Sequence, residues 1–182
     1  MQRREVLGWL GAATLAPLLA PVSPEQRWAV GADLHARLAA APRAGRALSA
    51  AQMALVTALA DAILPRTDTP GAVDVGVPAF VDLLLAEWYP EDEKRPLLTG
   101  LDGLDARARS AAGKPFAELD QAGRAGILAT VDGKEGAAGS PEASYRKLRE
   151  AIVFGFLTAK PIATTINTMP IIPGRFDGCV PV

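Results

Sequence analysis

The sequence predicts an all-α fold: a single small helical domain of about five helices, followed by a proline- and glycine-rich extended C-terminal tail. Alanine and leucine dominate the apolar residues, while aromatic residues make up only 5% of the chain. That mixture favours helix and disfavours a large sheet. Apolar residues also recur at helical spacing in several stretches separated by glycine and proline. Beyond the first 32 positions about 150 residues remain, enough for one domain with its own core but not two.

The N-terminal stretch reads as an export signal rather than part of the fold. Arg3 and Arg4 precede a run from Val6 to Val22 that contains no charged residue. A helix made from it would have no solvent face. Paired arginines before a weakly apolar stretch are what the twin-arginine translocase reads. A permanent membrane span needs roughly 20 apolar residues, and this run is shorter and interrupted by Gly8, Gly11, Pro17 and Pro21. The expected division is therefore a signal peptide over 1–32, a polar, alanine-rich and partly helical linker over 33–48, and a helical domain over 49–182. Small residues at Val30-Gly31-Ala32 place the expected mature start near Asp33, so His35 is expected to be solvated.

Ser49 and Gln52 match a capping box. Met53, Val56, Leu59, Ala60 and Ile63 then line one face of the first helix, which Pro65 stops. The segment 65–76 is crowded with turn residues and reads as a long loop, either ordered or solvated. Pro78 suits the first turn of a second helix, whose expected buried stripe is Val77, Phe80, Val81, Leu84 and Trp88. Glu91 to Arg95 reads as a solvated turn before a third helix that carries Leu97, Leu101, Leu104 and Ala108 and stops at Gly113. A fourth helix is expected over 119–131, weakened by Gly123 and Gly126 at roughly 1 kcal/mol each relative to alanine. Ser140-Pro141-Glu142 opens a fifth, with Tyr145, Leu148, Ile152 and Phe156 inward.

The tail over 161–182 holds four prolines, which restrict helix to short pieces. It is too apolar for a solvated end, with Ile162, Ile166, Met169, Ile171, Ile172, Phe176 and Val180. Each such side chain is worth roughly 1.5 to 3 kcal/mol when buried. The tail is therefore expected to act as a strap on this domain or on another protein.

Composition excludes several function classes. Formal net charge is −1 with both signs interspersed, so nucleic acid is not an expected partner. Single copies of cysteine and histidine, Cys179 and His35, rule out a zinc site of Cys and His ligands, an intramolecular disulfide, covalent haem attachment and a four-thiolate iron–sulfur cluster. Sequence signatures of nucleotide, serine-nucleophile and zinc-protease sites are missing as well. No catalytic, cofactor-binding or metal-ligating residue is assigned. Asp61 and Asp82 read as polar-face helix residues and Asp68 and Asp74 as turn formers, while Arg146, Lys147 and Arg149 read as the wet face of the fifth helix.

Three stretches together resemble the small subunit, called subunit 3 or the gamma chain, of gluconate 2-dehydrogenase and related periplasmic sugar dehydrogenases. They are Leu59 to Phe80, which contains Leu64-Pro65-Arg66-Thr67-Asp68-Thr69-Pro70-Gly71-Ala72; Phe154-Gly155-Phe156-Leu157-Thr158; and Pro173 to Pro181. Ala159 and Lys160 depart from the small polar residue and acid that tend to follow in related chains. The resemblance implies a noncatalytic subunit with no cofactor of its own. Its implied partners are a flavoprotein of the glucose-methanol-choline oxidoreductase class, which carries FAD, and in many such complexes a haem c subunit. The small chain would bear the export address for both, so the pair crosses to the periplasm already folded.

On this reading Phe154, Phe156, Pro173, Phe176 and Cys179 are the expected partner-interface residues. Cys179 is left with two roles, an intersubunit disulfide or a buried inert thiol. The competing function is a stand-alone periplasmic module that binds a small apolar ligand between its helices. A free-standing enzyme lacks a catalytic pair at any suggestive spacing.

Overall fold

A computed structural model of the chain describes residues 23–40 and 47–165. Among these residues there are seven α-helices and no strand: α1 Pro24–Ala40, α2 Ala50–Ile63, α3 Val77–Glu87, α4 Glu91–Ala112, α5 Gln121–Ala129, α6 Pro141–Thr158 and α7 Lys160–Thr165, with a single 3-10 turn at Phe116–Glu118. The all-α expectation holds. Five of the helices correspond to the five expected, and two short or unexpected ones, α1 and α7, flank them.

Local chemistry sets the helix ends. The Ser49 hydroxyl accepts from the Gln52 amide while the Gln52 side chain accepts from the Ser49 amide, so the capping box at the start of α2 is complete. Asp120 caps α5 through the Gly123 amide at 2.8 Å, and Ser140 caps α6 through the Ala143 amide. Gly113 ends α4 with φ 71°, a left-handed conformation that costs glycine little.

Two of these elements differ from the sequence expectation. Residues 91–95 are the first turn of α4 rather than a solvated turn. Glu91, Asp92 and Glu93 place negative charge at its positive end, and Pro96 is accommodated early in the helix, four residues after the exposed Asp92. The expected helix 119–131 is confined to α5, with Leu119 serving as the exit of the 3-10 turn. That turn is held by Asp105, whose carboxylate accepts from the Phe116 amide at 2.8 Å and seats the Phe116 ring in the core.

Helix α3 lies at the centre, packed against α1, α2 and α6. It is buried on nearly all sides, from Val77 and Pro78 through Phe80, Val81, Leu83, Leu84 and Leu85, as befits a helix apolar all round. This overturns the polar-face assignment of Asp82. Its side chain is buried, and one carboxylate oxygen accepts from the amides of Ala47 at 2.9 Å and Leu48 at 2.8 Å. A polar group at that depth needs such partners, and here it fixes the entry into α2. The most extensive helix pairing is α4 against α6. Gly100 permits it, because a methyl group there would overlap Ser144 and the Ser140 carbonyl.

Candidate interaction surface

Two features of the described surface stand apart from the packed interior, and each coincides with a stretch singled out in the sequence. The first is the connection between α2 and α3. The Leu64 carbonyl accepts from the Ala72 amide at 2.9 Å, and the Ala72 carbonyl accepts from the Val77 amide at 3.0 Å. The Thr67 amide donates to the Thr69 carbonyl, closing the tip. Asp74 receives the Gly71 amide at 2.8 Å on one oxygen and Arg66 at 3.2 Å on the other, the turn-forming role expected of it. The loop is thus ordered: Gly71 and Ala72 are buried, while Pro65 to Pro70 and Val73 are exposed. Asp68 lies on this exposed tip, and Asp61 pairs with Arg124 at 3.1 Å.

The second feature is the C-terminal half of α6. Phe154 and Phe156 are partly buried against the core, Phe154 with its ring tilted on Phe80 at 5.9 Å between centroids. Leu157, between them and the helix end, is 44% exposed. With Val73 at 41% it forms the pair of large apolar side chains left open to solvent among the described residues. Basic Arg146 and Arg149 lie exposed earlier on the same helix, Arg149 paired with Asp132 at 2.9 Å. Lys147, expected on that wet face, is instead partly buried and faces Glu93.

Helix α1 covers the inner side of this region. Gly31 lies so close to Thr158 that a Cβ on it would overlap the threonine side chain. One turn further along α1, His35 Nε2 donates to the Gly155 carbonyl at 2.8 Å, and its ring stacks on Phe80 at 4.8 Å with 26° between planes. Gly155 has no room for a side chain, since a Cβ there would lie 2.6 Å from Phe80 Cδ1. The carbonyl of Gly155 belongs to the last turn of α6, where no amide four residues on can reach it. His35 supplies the short hydrogen bond from another helix, beside a longer one from the Thr158 hydroxyl at 3.4 Å.

Burial drives the His35 pKa below 6.5, against the opposing pull of the Gly155 carbonyl. The expectation that His35 is solvated is thus corrected. The segment 33–40, read as linker, continues a packed helix in which Leu34 is wholly buried. The overlooked signal was the spacing Val30, Leu34, Leu38, an apolar stripe at helical period that the export reading absorbed into leader and linker.

Of the expected interface residues, Phe154 and Phe156 sit on one helix in the arrangement above. Pro173, Phe176 and Cys179 lie outside the described residues, as do Arg3 and Arg4. Among the described residues no group of three or more metal-ligating side chains converges, and no helix is long and apolar enough to cross a membrane.

The family model described as gluconate 2-dehydrogenase subunit 3 matches residues 50–174, more than half of the chain. Both the α2–α3 loop and the Phe154–Thr158 stretch fall inside the match, and α1 precedes it. No curated protein and no solved structure matches the chain.

Proposed function

The chain belongs to the gluconate 2-dehydrogenase subunit 3 family, and from that premise we propose that it is the noncatalytic small subunit of a periplasmic FAD-dependent sugar or sugar-acid dehydrogenase complex. The family implies an oxidoreductase complex with other subunits. In the proposed assembly the large subunit is a glucose-methanol-choline-type flavoprotein that binds FAD and oxidises the substrate, and a cytochrome c subunit carries electrons onward. The small subunit stabilises the flavoprotein and supplies the export address for the pair through Arg3 and Arg4.

The observation that carries this reading is the family match itself, which spans every described helix after α1. Two surface features support it. The α2–α3 loop spends its hydrogen bonds on holding an exposed tip in one conformation, which lowers the entropy cost of docking. Exposed Val73 and Leu157 lie in two of the three family-like stretches and offer apolar anchors of the kind that contribute to binding at interfaces. The export role rests on the twin arginines and the uncharged run behind them.

Replacing Arg3 and Arg4 together by lysine tests the escort role. The flavoprotein, made in the same cell, should then accumulate in the cytoplasm with FAD bound. Export of the flavoprotein at the normal level alongside the lysine variant would rule that role out.

A further inference from the structure

Helix α1 spans Pro24–Ala40, across the position where the small residues Val30-Gly31-Ala32 invite a maturation cut. We infer that α1 is a retained part of the exported subunit, and that no cut falls between Pro24 and the start of α2. The inference rests on the export reading proposed above and refines it by fixing where the leader must end.

The argument comes from what α1 covers. Leu34 is wholly buried and Gly31 is buried, while Val30 and Leu38 pack partly on the core. Removing residues up to Ala32 would take away Val30 and Gly31, the half of the helix that meets Thr158. The remnant would be eight residues from Asp33 to Ala40, too short to be a stable helix by itself and held only by what Leu34, His35 and Leu38 contribute. Loss of the remnant would in turn uncover Phe80, and leave the Gly155 carbonyl without the His35 donor. The fit is also specific in register. Gly31 faces Thr158 and His35 faces Gly155, so α1 runs antiparallel to the end of α6 with small residues placed where the backbones approach. A discarded leader has no need of a glycine matched to a threonine side chain in the domain.

The test has two arms on the full-length chain. In the first, the chain is expressed in a host with a twin-arginine system, recovered from the periplasm, and its N-terminus is read by sequencing and intact mass. The expected N-terminus lies at or before Pro24, Met1 included, and one anywhere from Glu25 to Ser49 overturns the inference. In the second arm, hydrogen exchange is followed in the unfractionated full-length protein, whether or not it has been exported. Amides 31–38 should exchange at least 100-fold more slowly than an unstructured peptide, and Gly31→Leu should abolish that protection while sparing α4 and α6. If that variant does not fold, Leu34→Ala should lower the protection of 31–38 alone. Unprotected amides at 31–38 in the wild-type chain contradict the inference. Failure of export would show separately, as chain confined to the cytoplasmic fraction.

Discussion

The His35 imidazole, on the helix before the family-matched stretch, donates to the carbonyl of Gly155 at 2.8 Å. The contact joins the two ends of the described chain, 120 residues apart in sequence, and ties α1 to the last turn of α6. Its protonation state should therefore control stability. Burial holds the folded-state pKa below 6.5, so the unfolded chain takes up the proton first as the medium is acidified. Stability attributable to neutral His35 should be complete above pH 6.5 and be lost as the pH falls through the folded-state value. Thermal denaturation across pH 5 to 8 should show this decline, and His35→Gln should flatten it. An equal decline in the variant would place its origin elsewhere.

Glycine-to-alanine changes at two helical positions should have different outcomes. Alanine gains roughly 1 kcal/mol of helix propensity over glycine. At Gly126 nothing lies within 4 Å of the new methyl, so Gly126→Ala should stabilise by about that amount. At Gly155 the methyl meets the buried Phe80 ring, and overpacking of this kind costs about 1 to 3 kcal/mol. Gly155→Ala should therefore be neutral to destabilising in urea titrations. A gain equal to that at Gly126 would mean that α3 and α6 approach less closely than described.

Asp82 receives two backbone amides in a buried setting. Asp82→Leu leaves both donors unsatisfied and should destabilise the chain by about 2 to 3 kcal/mol. Asp82→Asn keeps an acceptor and should cost less. Equilibrium denaturation that ranks the leucine variant as the more stable would contradict the anchoring role.

Leu157 and Val73 are exposed, so the double substitution to aspartate should change domain stability by less than about 0.5 kcal/mol. If these side chains meet the flavoprotein, the same variant should retain far less of it on affinity capture. Full retention would remove both residues from the proposed interface.

Much of this architecture was legible in the sequence because the signals are local. The Ser49 and Gln52 pair, the Pro78 start, the Gly113 stop and the Ser140-Pro141 opening each satisfy or terminate a backbone within a few residues. What escaped depends on distant partners. Asp82 resembles any polar helix residue until the central position of α3 buries it, and only the tertiary fold brings the amides of residues 47 and 48 to its carboxylate. His35 looked like a solvated residue because the charge-free run before it suggested a leader, and α1 has little to announce it beyond a stripe of Val30, Leu34 and Leu38. The acidic start of α4 was masked by Pro96, which usually marks a boundary rather than an interior. At the end of α6, the clustering of Phe154 and Phe156 on one helix was legible in the sequence, but nothing local predicted that Leu157 would be the side chain left open there.

Affinity purification of the tagged chain, co-expressed with the products of its neighbouring genes and recovered from the periplasm, tests the central claim most directly. The account predicts a stoichiometric complex whose large polypeptide carries FAD, seen as a flavin absorption spectrum that co-elutes with the small subunit. A colourless, monomeric chain that elutes alone from those cells would contradict it.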